Sequence, residues 1–130
     1  MNASGTSEVS LKPQPLFHEA NPLLGRLSID KTFHGDLAAT STGEMLSART
    51  SVENSAGYVA IETVSGTLHG RKGTFVLQHS SIMTKGVSQQ SITVVPDSGT
   101  DELVGLSGTM NLEVRDGKHF YKFDYSLTVA

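Results

Sequence analysis

Residues 62–79 constrain the fold most strongly, because two runs with alternating side-chain character flank a turn that contains glycine. The segment reads ETVSGTLHGRKGTFVLQH. Glycine in the first central position is typical of a two-residue type II′ turn, which places the turn at Gly70-Arg71. The predicted hairpin then opposes the following pairs: His69 and Lys72, Leu68 and Gly73, Gly66 and Phe75, Val64 and Leu77, and Glu62 and His79. An acid and an imidazole are therefore predicted to face each other among apolar neighbours.

Two further hairpins can be aligned from their turns, Asp116-Gly117 and Lys85-Gly86. The first of these dipeptides is a strong signal for a type I′ turn. Together they predict these opposed pairs: Val114 and His119, Leu112 and Tyr121, Met110 and Phe123, Gly108 and Tyr125, Leu106 and Leu127, His79 and Ile92, and Leu77 and Val94. In the hairpin that turns at Asp116-Gly117, the positions that alternate with these residues are mostly polar. The face that carries the opposed pairs is therefore predicted to lie against the core.

The whole chain shows the pattern of an all-β protein. It has 13 glycines, is rich in Ser, Thr and Val, and lacks a sustained apolar stripe with helical spacing. Strands are predicted at 5–12, 24–34, 39–49, 57–68, 73–83, 87–96, 104–115 and 118–129. Most connections are short, and short connections join antiparallel neighbours. We therefore expect a single domain, residues 1–130, folded as an eight-stranded antiparallel up-and-down β-barrel, with a two-sheet sandwich as the alternative.

Composition excludes several classes of function. The formal net charge is −3 and there is no basic cluster beyond Arg71-Lys72, so nucleic acid is not an expected partner. Cysteine is absent, and the histidines show no metal-binding spacing, so neither a metal site nor a cofactor is expected. The first residues lack the features of a signal peptide, and no apolar run is long enough for a membrane helix. A cytoplasmic protein without membrane contact is the expectation.

Three blocks of the sequence resemble a known family. They are KTFHGDL at 31–37, YVAIETVSGTLHGRKGTFVLQH at 58–79, and VVPDSGTDELVGLSG at 94–108. The pattern is similar to that of a family of small, uncharacterised bacterial proteins, and the resemblance spans residues 27–110. It implies an eight-stranded barrel of the allene oxide cyclase type, often seen as a homodimer, with no established activity. The likeness to allene oxide cyclase is one of fold only, and no catalytic residue carries over from that enzyme.

Glu62 and His79 are the leading candidates for site chemistry. A carboxylate that faces an imidazole can fix the tautomer of the imidazole and support proton transfer. The structural alternative is an ion pair or hydrogen bond that satisfies polar groups inside the barrel. Buried ion pairs contribute little to stability, so a pair that is kept inside a barrel needs a further reason for its presence.

A barrel of eight strands either fills with side chains or holds one small ligand. The predicted ligand-binding residues are Tyr58, Glu62, Phe75, Leu77, His79 and Ile92. The first hypothesis is a barrel that binds a small, mostly apolar ligand in its interior. The second is an isomerase or cyclase that uses Glu62 and His79 as a proton-handling pair, and the third is a structural or interaction protein with a filled core. The sequence leaves open whether the protein is an enzyme. A homodimer is expected, with the outward-facing strip of Val59, Ile61, Val76 and Val95 as its candidate surface.

Overall fold

Eight antiparallel strands, each paired with its neighbours in the chain, close into a barrel in the computed structural model. The structure describes residues 1–17 and 22–128. The strands are β1 (Asn2–Gln14), β2 (Leu24–Gly35), β3 (Leu37–Arg49), β4 (Ala56–Leu68), β5 (Arg71–Thr84), β6 (Val87–Val94), β7 (Leu106–Arg115) and β8 (Lys118–Leu127). Pairing of β1 with β8 closes the barrel and removes the sheet edges that an open meander would expose. The predicted barrel and its strand order are confirmed.

The strand limits differ from the prediction mainly at two places. Strand β1 is longer at both ends, and its first residues pair with β8. Strand β6 ends at Val94, and the following segment 95–105 contains a 3-10 helix at Asp101–Leu103 that was not predicted. The predicted end of β8 at residue 129 lies outside the described residues. In the part of the chain that the structure describes, no helix is long and apolar enough to cross a membrane.

Two of the three predicted hairpin registers are confirmed, and one is wrong by two residues. The turns at Lys85-Gly86 and Asp116-Gly117 give the predicted pairs. In the hairpin of β4 and β5 the turn residues are His69 and Gly70, so the first hairpin pairs Glu62 with Leu77 and Ala60 with His79. Both turn residues have positive φ, 48° and 80°, as a type I′ turn requires. Because side chains alternate with period two, this shift leaves every side chain on its predicted face.

One end of the barrel, the closed end, is filled with apolar side chains. The turns β2–β3 and β4–β5 and the segment 95–105 lie at this end. Aromatic rings pack there in contact with one another, including Phe75 with Phe123, whose ring centroids are 5.8 Å apart. Leu103 of the 3-10 helix lies over Gly73, where a Cβ atom would be 3.1–3.2 Å from its side chain. The buried apolar residues of this core are Ala3, Phe33, Leu37, Ala39, Val64, Leu68, Phe75, Leu77, Ile92, Val94, Leu103, Leu106, Met110, Tyr121, Phe123 and Tyr125.

The opposite end, the open end, is less completely filled. The β3–β4, β5–β6 and β7–β8 turns lie there, together with the connection from β1 to β2. Interior positions at this end, assigned from strand register, are Val9, Leu11, Met83 and Val114, which are 37% to 62% exposed. Leu27, Met45, Tyr58 and Leu112 on the same interior face are half-buried. One half of the barrel therefore has a solid apolar core, and the inward-facing apolar side chains of the other half are partly exposed.

The wall of the barrel is also least complete between β6 and β7. Within the described residues these two strands share a single paired position, Thr93 with Thr109. Towards the open end, the amide of Leu112 on β7 donates to the side chain of Gln90 on β6 at 3.4 Å. The two strands are thus joined loosely on the side of the barrel that carries Ile92.

Candidate functional site

Four buried polar side chains meet inside the barrel and form what we call the interior cluster: Lys31, Ser41, Glu62 and His79. Glu62 lies at its centre and is 0% exposed. Lys31 Nζ donates to Glu62 Oε2 at 3.1 Å and approaches Oε1 at 3.5 Å, and the Ser41 hydroxyl donates to Oε1 at 3.2 Å. The carboxylate is therefore surrounded by donors and has no face towards solvent.

Strand register explains how these side chains meet. Glu62 on β4 pairs with Gly43 on β3, and Lys31 on β2 pairs with Ser41 on β3. A Cβ atom at Gly43 would lie 2.7 Å from Glu62 Cα and 2.9 Å from Glu62 Cβ. Glycine at this position therefore leaves the space that the glutamate occupies, and lets it contact Lys31 from two strands away.

The neighbours of Glu62 stabilise its ionised form. Burial raises the pKa of this carboxyl group, but the contacts with His79 and Lys31 lower it by more, and the net pKa is below the ordinary 4.5. The positive charge of Lys31 and the hydrogen bonds favour the ionised carboxylate. The site thus contains a compensated pair of opposite charges in an apolar interior.

His79 has fewer hydrogen-bond partners than Glu62. It is 4% exposed, and its Nε2 lies 3.0 Å from Glu62 Oε2. The two atoms are not aligned for a hydrogen bond, and among the described residues this buried Nε2 has no other partner. The imidazole therefore keeps an unused hydrogen-bonding atom inside the barrel.

The predicted meeting of Glu62 and His79 is thus found, although not by direct opposition. With the corrected register His79 pairs with Ala60, and Glu62 reaches it diagonally. Diagonal neighbours on one face of a sheet lie within reach of long side chains.

The other predicted ligand residues lie at different depths. Phe75, Leu77 and Ile92 are at most 2% exposed and belong to the packed core. Tyr58 is half-buried on the interior face, towards the open end. Of these four residues, Tyr58 is the one placed to contact a molecule that enters from the open end.

The fold and the interior cluster can now be compared with known proteins. A family model described as "Protein of unknown function (DUF3224)" matches residues 3–125. The chain belongs to this family. It is similar to a protein of unknown function from the DUF3224 family of Shewanella oneidensis MR-1, with 48% identity and a TM-score of 0.96. The match to that crystal structure covers 100% of this chain and 98% of the other. No curated protein matches this chain.

The predicted membership in an uncharacterised bacterial family is confirmed by this match. The finer description of the barrel as allene oxide cyclase-like stays a prediction. The DUF3224 description assigns no activity to the family.

Sequence reasoning missed Lys31 and Ser41. A signal for Lys31 was present, because it lies between Ile29 and Phe33 at alternate positions of a strand whose other inward residues are apolar. A lysine on such a face is rarely buried without a partner. The identity of that partner depends on how strands two positions apart are staggered, which the sequence of one strand does not determine.

A second polar group, also missed, lies at the closed end. The hydroxyl of Tyr125 contacts Nδ1 of His69, and Nε2 of His69 lies 3.6 Å from Asp36 Oδ2. Burial raises the pKa of Tyr125; the charge of Arg71 opposes this shift, while that of Asp36 adds to it. His69 and Asp36 are both substantially exposed, so this group ties together turns at the surface.

The outer face of β3, β4 and β5 carries a groove of about 690 Å³. Exposed apolar side chains on this face are Leu46, Val59, Ile61 and Ile82. Val76 and Val95, which were predicted to extend this strip, are instead half-buried, because segment 95–105 lies along β5 and the amide of Val95 donates to the carbonyl of Val76 at 2.9 Å. His79 is among the residues that line the groove, which is the main alternative surface for an apolar molecule.

Proposed function

We propose that this protein binds a small, mostly apolar molecule in the open end of its barrel, with the polar end of that molecule resting on the interior cluster. The observation that carries this proposal is the buried interior cluster, together with the partly exposed apolar side chains at inward-facing positions of the open end. Ligand sites are typically apolar concavities with a few convergent polar groups that fix orientation.

The energetics of the cluster support this function over a purely structural one. A buried ion pair is often no more stabilising than apolar side chains of the same volume. The closed end shows that this chain can fill a barrel with rings and leucines. Placing Lys31 and Glu62 in the other half therefore gives little stability, but it gives a ligand a polar feature to recognise.

We expect a ligand to reach the cluster by one of two routes. The first is the open end, where Met83 and Val114 are exposed on the interior side. The second is the loose seam between β6 and β7, beside Ile92, which pairs with His79. Either route brings a ligand past apolar side chains before it reaches a charge.

Fluorescence titration with N-phenyl-1-naphthylamine, a neutral apolar probe, tests the proposal. We expect saturable binding of one probe per chain. Met83→Trp places a bulky ring at the opening and is expected to weaken binding by about tenfold or more, because the probe and the indole compete for the same space. Val59→Ser, on the outer groove, is the matched control and should leave the affinity unchanged.

Two results would overturn the proposal. One is the absence of saturable binding, which would favour the third hypothesis, a structural or interaction protein. The other is loss of binding in Val59→Ser with retention in Met83→Trp, which would move the site to the outer groove.

A proton-handling enzyme is the second candidate, favoured by the 3.0 Å separation of Glu62 and His79. The lowered pKa of Glu62 makes it a weak base, so His79 would accept the proton and Glu62 would orient the imidazole. Exchange of the α-hydrogens of 2-undecanone for deuterium in D2O, followed by NMR, tests this. Exchange faster than in buffer, and lost in His79→Ala, is expected of such an enzyme; exchange at the buffer rate would exclude it for this substrate type.

A homodimer stays a prediction. The exposed side chains of the outer groove are its best surface, and Ile61→Glu would place a charge at its middle. Sedimentation velocity is expected to show a dimer for the unmodified protein and a monomer for the variant. A monomer in both cases would contradict the prediction.

A further inference from the structure

We infer that the polar end of the ligand is an oxygen that accepts hydrogen bonds without donating them, as in a ketone or a carboxylate, and that Lys31 and His79 hold it. This inference rests on the proposed function and specifies the chemistry of the same site. It follows from counting which hydrogen-bonding positions of the interior cluster are already used.

Glu62 is not available to a ligand. A carboxylate has about four acceptor positions on its two oxygens. Lys31 approaches both oxygens, and Ser41 donates to Oε1. With no exposed surface left, Glu62 compensates charge and positions its neighbours.

The hydrogen-bonding groups of the interior cluster that remain for a ligand are N–H donors. An ammonium group has three N–H bonds. Both hydrogen bonds of Lys31 Nζ in the described structure go to the one carboxylate of Glu62, and Nζ also lies 5.3 Å from the centroid of the Phe33 ring. His79 contributes the buried Nε2 that has no aligned partner among the described residues. The side chain of Lys31 is 7% exposed and that of Glu62 is 0% exposed, so the lysine is less enclosed than the glutamate that it neutralises.

A donor on the ligand would find only neutral hydroxyl oxygens, such as those of Ser7 and Ser81, to accept its hydrogen bond. The carboxylate that could accept from it is enclosed, and an ammonium ligand would meet the positive charge of Lys31 first. A ligand oxygen that only accepts would instead complete the hydrogen bonds of Lys31 and His79. Hydrogen bonds to charged groups contribute more than neutral ones, so selection by head group should be measurable.

Competition against N-phenyl-1-naphthylamine with ligands of similar chain length tests this inference. The three probes are decanoate, 2-undecanone and decylamine. We expect decanoate and 2-undecanone to displace the dye at concentrations about ten- to a hundredfold lower than decylamine. Tighter binding of decanoate would identify a carboxylate as the preferred oxygen, and tighter binding of 2-undecanone would identify a neutral carbonyl.

The double variant Lys31→Met/Glu62→Met provides the control. It replaces both charges with apolar side chains of similar size and should therefore fold. We expect it to bind the dye but to lose most of the preference among the three head groups, since His79 is then the one proposed donor that remains. Equal displacement by all three in the unmodified protein, or tightest displacement by decylamine, would overturn the inference while leaving dye binding, and so the proposed function, intact. Failure of the dye to bind would remove both.

Discussion

Removing the charge of Glu62 is expected to destabilise the barrel far more than removing a surface carboxylate. In Glu62→Gln the ammonium of Lys31 stays buried without its counter-charge. At a charge separation of about 4 Å and an effective dielectric constant of about 20, the lost attraction is about 4 kcal/mol. Breaking a buried pair by removing one partner typically costs about 3–5 kcal/mol, which agrees with this figure.

The exposed pair of Arg26 and Glu44 provides the matched control. Their side chains are 38% and 59% exposed, so solvent screens the interaction. Glu44→Gln should therefore cost about 1 kcal/mol or less. Both are glutamate-to-glutamine changes on neighbouring strands, and they differ mainly in burial.

Urea denaturation followed by circular dichroism measures both variants. The midpoint should fall strongly for Glu62→Gln and slightly for Glu44→Gln, with the same dependence on urea concentration. The double variant Lys31→Met/Glu62→Met should be more stable than Glu62→Gln, because no uncompensated charge remains. Equal, small losses for the two single variants would refute the assignment of Glu62 and Lys31 as a buried, mutually dependent pair.

Three further predictions concern packing and pH. Phe75→Ala should lower the free energy of unfolding by about 3–5 kcal/mol, because the Phe75 ring lies in the closed end. Phe120→Ala, on the outer face, should lower it by about 1 kcal/mol or less in the same urea assay. Equal losses for the two variants would contradict the assignment of faces. Gly43→Ala should cost about 1–3 kcal/mol, since the new Cβ would lie 2.1 Å from the carbonyl oxygen of Ile61. In the control Gly57→Ala the tightest contact of the new Cβ would be 3.2 Å, with the flexible end of Ile82, and the variant should be nearly neutral. Equal melting temperatures of the two variants in thermal denaturation would argue against this crowding at Gly43. The folded-state pKa of Glu62 is lowered, so its stabilising contribution is present above pH 4.5 and is lost as pH falls through the folded-state pKa. The difference in free energy of unfolding between the unmodified protein and Glu62→Gln should therefore shrink in acid. A difference that is constant from pH 7 to pH 3 would contradict this prediction.

The hairpins show where local sequence determines structure and where it does not. Asp116-Gly117 and Lys85-Gly86 contain one glycine each at the second central position, and both registers were predicted correctly. Gly70 also takes the second central position, and His69 before it adopts positive φ, as Lys85 and Asp116 do in the other two turns. Histidine is one of the residues that tolerate this conformation.

Contacts made by the folded barrel favour that turn. The amide of His69 donates to the carbonyl of Asp36 at 2.8 Å, and its ring contacts Tyr125. Neither partner is close in sequence, so the hairpin alone did not reveal the choice. The face assignment survived the error because a shift of two residues preserves the alternation of side chains.

The interior cluster was predictable only in part for a related reason. Glu62 and His79 lie on neighbouring strands, and their meeting follows from a hairpin. Lys31 reaches Glu62 across β3, which requires both the stagger of the barrel and the missing side chain of Gly43. Such contacts depend on barrel closure, and no single hairpin contains them.

Methyl NMR of the methionines tests most directly whether the open end is the binding site. Met45 and Met83 lie at the open end, whereas Met110 is buried in the core and Met1 pairs its backbone with Tyr125 at the closed end. On titration of decanoate into protein carrying 13C-methyl methionine, we expect saturable shifts for Met45 and Met83 and little change for Met1 and Met110. Unchanged Met45 and Met83 signals at saturating decanoate, or shifts confined to Met1, would contradict this expectation.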